Sequence, residues 1–210
     1  MAEIPDGEYL AFDPIFVPDE EGACSDELMA KIDKIDKSVA PLDSKQHVLA
    51  FAIDKRRVTC GDYRSCVETG ACETTSRCGD DWPADVTFEQ ASAYCRWRGK
   101  KLPSLLQWQA AVRGPDGKTT AECDPGTNCY MTNAAGVRVE NFRRHGKAEF
   151  TTTRGCARDD ETGIRAFVPY VAAPLPLQLY MNVPVFPPSG GYPFKAEFRC
   201  VRDSQAAVGR

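Results

Sequence analysis

The sequence predicts a single α+β domain that is rich in loops. Three segments between residues 59 and 114 have a hydroxyl cap, an acceptor three residues later and a closing glycine, which is typical of short helices. Beyond residue 114 the chain is rich in Gly, Pro, Asn and Thr with short apolar runs, which favours short strands and loops. Ten cysteines in 210 residues indicate that disulfides hold these loops. Helices followed by broken strands predict the α+β class.

The composition argues against several classes of protein. The net charge is −4 with both signs interspersed, which argues against nucleic acid as the main partner. No run approaches the roughly 18 apolar residues of a membrane span. The cysteine content favours an extracellular, periplasmic or cell-surface location. The first residues, MAEIPDGEYL, do not resemble a signal peptide, so we expect that a signal was removed or that export uses another route.

The first predicted helix, Ser25–Val39, is expected to form a surface insertion in the domain. Its apolar residues recur at steps of four, three and four and form one stripe, while the other face carries Asp, Glu and Lys. These apolar residues are Leu28, Ile32, Ile35 and Val39. The stretch that follows, HVLAFAIDKRRVT from His47 onward, predicts a strand that runs into a turn.

Three further helices are predicted from their end signals. Each begins at a Thr or Ser that can cap the first turn, with an Asp or Gln three residues later to complete a capping box. The three cap pairs are Thr59 with Asp62, Thr87 with Gln90, and Ser104 with Gln107. The glycines that stop these helices are Gly70, Gly99 and Gly114.

The C-terminal third is predicted to hold interrupted or edge strands. The segment VPYVAAPLPLQLYMNVPVFPPSGGYP contains seven of the fifteen prolines, and proline removes a ladder hydrogen bond. The last regular piece, KAEFRCVRD, is predicted to be a strand that returns to the core. Residues 204–210 are expected to form a flexible tail, so the predicted domain covers residues 1–210.

Four cysteines follow one another at a constant spacing of six residues: Cys60, Cys66, Cys72 and Cys78. Structural zinc usually draws its thiolates from close pairs such as C-x-x-C. Six residues rise about 9 Å and rotate roughly 240° along a helix, or extend about 20 Å along a strand. Neither geometry gathers four sulfurs on one ion, so disulfides are favoured.

Two local disulfides are predicted. The chain doubles back between Cys66 and Cys72, after the helix stop, and the Pro-Gly turn in CDPGTNC can close Cys123 on Cys129. Cys60 lies on a different face of the same helix from Cys66, so these two should not pair. The sequence leaves the partners of the other cysteines open: Cys24, Cys60, Cys78 and Cys156.

Three stretches resemble the formylglycine-generating enzyme, or sulfatase-modifying factor, family. They are FAIDKRRVTCGDYRSCVETG, VTFEQASAYCRWRGKKLPSLLQWQAAVRG and EFRCVRD. The family shows F-x-I-D-x-x-x-V-T, then Y-C-x-W-x-G-K-R-L-P-T-E-x-E-W-E, and a terminal G-F-R-C. In the middle stretch Lys101 replaces an arginine and Ser104 a threonine. The resemblance is strong over Phe51–Gly114 and Phe198–Arg202, and faint from Pro115 to Lys195.

The resemblance implies a C-type-lectin-like fold with few regular elements for its length. It also implies a disulfide between Cys95 and Cys200, which would close a loop of about a hundred residues and stabilise the fold by roughly 4–5 kcal/mol. A second bridge of some members would need a cysteine where Val112 stands. Calcium sites of the family fall at similar places to Asn133, the carbonyl of Ala134, and Glu149, so calcium is the cofactor to test.

The resemblance also shows what the chain lacks for catalysis. Aerobic members of the family oxidise a substrate cysteine to formylglycine with copper held by two thiolates, within R-G-G-S-x-x-C-x-x-x-x-C-R-x-x-x-R. This chain has no cysteine between Cys156 and Cys200. Related iron enzymes with this fold use a histidine-rich triad, whereas His47 and His145 form no H-x-x-x-H pattern. The family motif G-L-Y-D-M-x-G-N-x-x-E-W survives only as GIRAFVPYVAA.

Two main hypotheses follow for function. The first is a non-catalytic, exported module that binds a protein or a carbohydrate through its C-terminal loops. The second is an active formylglycine-generating enzyme or a related metal-dependent oxidase, in which Cys156 and another thiol serve the metal. A purely structural role in the cell envelope is not distinguished from the first hypothesis by the sequence.

Overall fold

The protein contains a small set of short helices and strands. The computed structural model describes residues 1–12, 27, 43–75, 78–114, 120–123, 129–132, 138–140, 149–158, 165–172 and 195–204. Within these ranges the helices are α1 Cys60–Glu68, α2 Phe88–Trp97 and α3 Leu105–Arg113. The strands are β1 Ala2–Ile4, β2 Gly7–Phe12, β3 Asp43–Val48, β4 Phe51–Ile53, β5 Thr120–Cys123, β6 Cys129–Thr132, β7 Arg138–Glu140, β8 Glu149–Arg158, β9 Arg165–Ala172 and β10 Val201–Asp203. The mixture confirms the α+β class.

All three capped helices form as predicted. In each one the cap hydroxyl accepts from the backbone N–H of the third helical residue, whose side chain accepts from the cap backbone N–H in return. The glycines that follow these helices have positive φ angles, a backbone conformation that residues with a Cβ atom rarely adopt. These glycines are Gly70 at 76°, Gly99 at 66° and Gly114 at 70°.

A three-stranded antiparallel sheet joins the two ends of the described chain. Its order is β1-β4-β10, so β4 lies in the centre. Ile53 of β4 faces Ala2 on one side and Val201 on the other. The predicted return of the C-terminal strand to the core is therefore confirmed, and it places residues 195–200 beside the chain that leads into α1.

The strand predicted from His47 onward is two strands in the structure. β3 pairs with β2, whereas β4 belongs to the three-stranded sheet. Leu49 and Ala50 lie between them, and the side chain of Leu49 is 73% exposed. The residues at this break are apolar, like their neighbours on either side. The hydrophobicity pattern therefore predicts one continuous strand.

The strand predicted over residues 195–203 is also shorter than expected. Only Val201–Asp203 forms a ladder strand, while Ala196 and Glu197 form isolated bridges with Val86 and Glu149. The backbone of this segment also accepts from Asp54 and Val58, through the carbonyls of Cys200 and Phe198. The segment is thus anchored to several elements rather than to one neighbouring strand.

Two separate antiparallel sheets follow α3. One has the order β5-β6-β7 and the other pairs β8 with β9. Pro169 lies in β9 opposite Arg154, and the register shifts between Phe150 and Arg154. Both strands of a two-stranded sheet are edge strands, and an edge strand tolerates a proline because one side of its backbone makes no ladder hydrogen bonds. This agrees with the prediction of edge or interrupted strands.

The described core has two apolar clusters. The first packs α3 against the three-stranded sheet and includes Phe51, Ile53, Trp108 and Val112. Val112 is therefore a core residue, at the position where some family members carry a cysteine that forms a second bridge. The second cluster packs α1 and α2 around Phe198, with the rings of Tyr63 and Tyr94 at 6.5 and 5.5 Å from it.

Two parts of the domain prediction lie mainly outside the described residues. Of the predicted helix Ser25–Val39 only Glu27 is described, and it is helical and exposed. Of the predicted tail only Ser204 is described. In the part of the chain that the structure covers, no helix combines the length and apolar character needed to cross a membrane.

Candidate functional site

Six of the described cysteines form three disulfides. The pairs are Cys60–Cys78, Cys66–Cys72 and Cys95–Cys200, with Cα–Cα distances of 6.1, 5.3 and 5.6 Å. These distances lie in the usual range for a disulfide. The second pair is the local bridge expected from the sequence, and the third is the bridge implied by the family resemblance. The structure adds Cys60–Cys78, which the sequence left open.

The backbone is compatible with the predicted bridge between Cys123 and Cys129. These residues lie directly opposite each other where β5 pairs with β6. Their sulfur atoms, and those of Cys24 and Cys156, lie outside the described parts of the structure. The pairing of Cys123 with Cys129 therefore remains a prediction.

A buried ion-pair network joins the two core clusters. Arg199 and Glu149 are 0% and 1% exposed. Arg199 donates from Nε to Glu149 Oε2 at 2.6 Å and from Nη2 to Oε1 at 2.7 Å. The indole Nε1 of Trp108 donates to the same Oε2 at 3.2 Å. Both carboxylate oxygens thus accept short, charge-assisted hydrogen bonds in a water-excluded place.

A second ion pair adjoins the first. Arg57 pairs with Glu197, and its Nε lies 3.9 Å from Glu149 Oε1. The Nη1 of Arg199 donates to the backbone carbonyls of Asp54 and Lys55, at 3.3 and 3.4 Å. Two guanidinium groups therefore balance two carboxylates, and the network carries no net charge.

The electrostatics of Glu149 follow from this geometry. Burial by itself raises the pKa of its carboxyl group, but the charge and hydrogen bonds of Arg199 lower it by more, with help from Arg57 and Trp108. The resulting pKa lies below the ordinary value of a glutamic acid. Glu149 is therefore ionised at neutral pH and is a structural partner of Arg199 rather than a proton donor.

The structure places the carboxylate of Glu149, an expected calcium ligand, against arginine side chains. Calcium needs free carboxylate or carbonyl oxygens around the ion. The two oxygens of Glu149 face Arg199, and Arg57 lies just beyond. A cation would meet two guanidinium groups there. The other expected ligands, Asn133 and Ala134, lie outside the described residues.

One residue of the sequence indicates this network. Arg199 stands between Phe198 and Cys200 in a segment predicted to be a core strand, and a charged residue there needs a buried partner. The partner cannot be read from spacing, because Glu149 lies 50 residues away in the chain. Arg57 and Glu197 were missed because they look like surface charges.

Other candidate groups are ordinary surface or core residues. His47 lies 3.3 Å from Asp6, and both side chains are more than half exposed. Burial, with a smaller contribution from Asp62, raises the pKa of Tyr94 to about 12, so its hydroxyl stays protonated near neutral pH. Within the described ranges, no three His, Cys, Asp or Glu side chains lie together as a possible metal site.

The described surface has at least two clefts. The larger, of about 430 Å³, lies between Leu49, Leu106, and the ion pair of Lys101 with Asp203. The smaller, of about 300 Å³, lies beside α1 and is lined by Cys60, Cys78 and their neighbours.

The residues present do not fit the copper centre that the family resemblance implies. That centre needs two free thiolates upstream of the last strand. There is no cysteine between Cys156 and Cys200, and none of the six cysteines with described sulfurs is free. No catalytic step through copper follows from this chain.

Comparisons with known proteins point to one family. Residues 19–168, more than half of the chain, match the sulfatase-modifying factor enzyme 1-like domain. The inactive C-alpha-formylglycine-generating enzyme 2 of Bos taurus is 34% identical over 64 residues, which is 30% of this chain and 20% of that protein. The same protein of Mus musculus is 33% identical over 64 residues, with the same coverage of both chains. The chain thus aligns with about a fifth of the length of these curated relatives.

The crystal structure of CarF was also found. The match covers 97% of this chain and 97% of the CarF chain at 15% identity, with a TM-score of 0.48. The match over residues 19–168 decides the family, and it agrees with the sequence motifs of α1, α2 and α3. The chain belongs to the sulfatase-modifying factor enzyme 1-like domain family.

Proposed function

We propose that this chain is a non-catalytic member of the family with a C-type-lectin-like fold. The observation that carries the proposal is the missing thiolate pair: no cysteine stands where the family holds copper. The relatives from Bos taurus and Mus musculus are both named inactive, which is consistent with this reading. The scaffold motifs, by contrast, are intact in all three helices.

We further propose that the protein works outside the cytoplasm and binds a protein or a carbohydrate through its C-terminal loops. Disulfides persist in oxidising compartments, and three of them fasten the described scaffold. Loops carried by a rigid frame commonly provide recognition. Calcium bound by Glu149 is not part of this proposal, because its carboxylate is occupied by Arg199.

The absence of catalysis is tested by metal binding and turnover together. Purified protein is titrated with Cu(I) against a colorimetric chelator, and it is incubated with copper, oxygen and a cysteine peptide derived from a sulfatase. We expect no binding that competes with the chelator and no conversion of the peptide cysteine, by mass spectrometry. An active family enzyme serves as positive control. Stoichiometric Cu(I) binding with peptide oxidation, both lost in Cys156→Ser, would establish the oxidase hypothesis instead.

The binding role is tested with loop variants of the whole chain. The protein is applied to a glycan array and to an array of secreted proteins. Tyr180→Ala combined with Phe186→Ala changes two large apolar residues of the C-terminal segment. Trp82→Ala is the control, because Trp82 is 70% exposed but lies in the turn between α1 and α2, outside the C-terminal segment. We expect the first variant to lose the signal and the control to keep it. The reverse result would contradict a C-terminal binding surface.

A further inference from the structure

The smaller cleft exposes one disulfide of the scaffold. Both Cys60 and Cys78 line this cleft of about 300 Å³. Arg64, Thr74 and Thr75 also line it, so it has polar as well as apolar walls. Cys78 is partly exposed and Cys60 is 4% exposed. Cys78 is therefore the more exposed residue of this disulfide, and we expect its sulfur to be the one that a small molecule in the cleft reaches.

The other two disulfides of the described scaffold are closed off. Cys95 and Cys200 are both 0% exposed in the core around Phe198. Cys66 is also fully buried, and Cys72 is 8% exposed. Thiol–disulfide exchange requires a thiolate to approach a sulfur, so its rate depends on access. The three pairs thus differ in access, although all three belong to the same apolar cluster.

We propose that Cys60–Cys78 is a thiol–disulfide exchange site for a low-molecular-weight thiol such as glutathione. The incoming thiolate attacks the sulfur of Cys78, forms a mixed disulfide with it and breaks the bond to Cys60. Cys60 leaves as a thiolate. A second thiolate then attacks the sulfur of the first thiol, which releases Cys78 as a thiolate and an oxidised thiol dimer. Two electrons pass to the protein disulfide, and both cysteine sulfurs take protons from water.

The position of Cys60 suits a leaving group. It is the first residue of α1, directly after the cap Thr59, and the positive end of a helix favours a thiolate. Arg64 lies one turn further along the same helix and lines the same cleft. Its guanidinium pairs with Asp80 at 2.5 Å, so the cleft has no strong net charge from this pair. The helix end thus favours Cys60 as the leaving thiolate, but the access of the incoming thiol to Cys78 remains the main reason for exchange at this disulfide.

Exchange at this site leaves the surrounding chain attached. The turn at residues 79–82 is also held to α1 by two backbone hydrogen bonds, from Cys60 N to Trp82 O at 2.7 Å and from Gly61 N to Asp80 O at 3.0 Å. The ion pair between Arg64 and Asp80 joins the same two pieces. Opening the disulfide is therefore a local event that does not require unfolding.

The test compares the three disulfides in one sample of native protein. The protein is incubated with reduced glutathione, quenched with acid, alkylated and mapped by peptide mass spectrometry. We expect Cys60–Cys78 to open at least about tenfold faster than the other two pairs, because their opening needs a structural fluctuation. Glutathione should appear on Cys78 and the alkyl group on Cys60. Equal rates for the three pairs, faster opening of another pair, or glutathione on Cys60 would overturn the proposal.

Single-cysteine variants test the direction of attack. Cys60→Ser leaves the thiol of Cys78, and Cys78→Ser leaves that of Cys60. With oxidised glutathione, we expect the Cys78 thiol to form the mixed disulfide several times faster than the Cys60 thiol. The opposite order would contradict the assignment. Circular dichroism of both variants establishes whether the fold is kept. If either variant fails to fold, the mapping of glutathione on the native protein decides the direction of attack.

A cleft variant tests the role of access. Thr74→Phe adds bulk at the cleft, with Thr74→Ser as the matched control. We expect Thr74→Phe to slow the opening of Cys60–Cys78 several-fold and to leave the other two pairs unchanged. An unchanged rate in a folded Thr74→Phe protein would show that the cleft is not the route. The proposed exchange at Cys60–Cys78 does not depend on the proposed binding of a ligand by the C-terminal loops.

Discussion

Replacing Glu149 by glutamine should strongly destabilise the fold. Glu149→Gln keeps the shape of the side chain but removes its charge. It also replaces one carboxylate oxygen by an amide that cannot accept from Arg199. Because Arg199 is 0% exposed, water cannot take over the lost interaction. The variant therefore leaves a buried guanidinium without its main counter-charge.

The magnitude follows from the burial and the number of contacts. The carboxylate accepts from Arg199 at 2.6 and 2.7 Å and from Trp108 at 3.2 Å. Removing one partner of a buried pair usually costs about 3–5 kcal/mol, mostly through the charge left behind. We expect the free energy of unfolding to fall by about this amount, which is a large part of the roughly 5–15 kcal/mol of a typical domain.

The assay is urea denaturation at pH 7 without reductant, followed by circular dichroism. An exposed pair provides the control. Lys101 Nζ also lies 2.6 Å from an oxygen of Asp203, but these side chains are 53% and 62% exposed. Asp203→Asn should cost no more than about 1 kcal/mol, because surface pairs contribute little. The two variants remove the same type of group at the same distance, so their difference measures burial.

A double variant separates charge from packing. Glu149→Leu and Arg199→Met each leave one buried charge, whereas the combined variant removes the direct pair. The combined cost should be clearly smaller than the sum of the two single costs. A loss below about 1 kcal/mol for Glu149→Gln, equal to that of Asp203→Asn, would refute the reasoning. So would a double variant whose cost equals the sum.

Three other outcomes are expected. Replacing both Cys95 and Cys200 by serine should cost about 4–5 kcal/mol, against about 2–3 for the six-residue bridge at the end of α1, because the first closes a loop of 105 residues; equal losses in urea denaturation would contradict this order. Because the folded pKa of Glu149 lies below its ordinary value of 4.5, its stabilisation is present above that pH and is lost as the pH falls toward the folded pKa. Glu149→Gln should therefore flatten the acid limb of a stability–pH curve, and an unchanged limb would count against the ion pair. Thr87→Ala should lower stability by about 1 kcal/mol through loss of the α2 cap, whereas Thr87→Ser should keep most of it; equal losses would argue against the cap.

The sequence by itself determined the local features of this protein. The capped helices are set by contacts across three residues, as between Thr87 and Gln90, so their start and stop signals are written side by side. The bridge from Cys66 to Cys72 is equally local, with a separation of six residues. The family, and through it the pairing of Cys95 with Cys200, followed from motifs that occupy contiguous stretches. The missing thiolates are also visible in the sequence alone.

The tertiary structure decided which distant groups meet. A glutamate in the sequence looks the same whether it binds calcium or an arginine, and only the path of the chain brings Glu149 to Arg199 and Trp108. The pairing of Cys60 with Cys78, and its opening to a cleft, likewise depend on how the turn at residues 79–82 lies against α1. Contacts of this kind are fixed by packing of the whole domain rather than by neighbouring residues, so spacing carries no record of them.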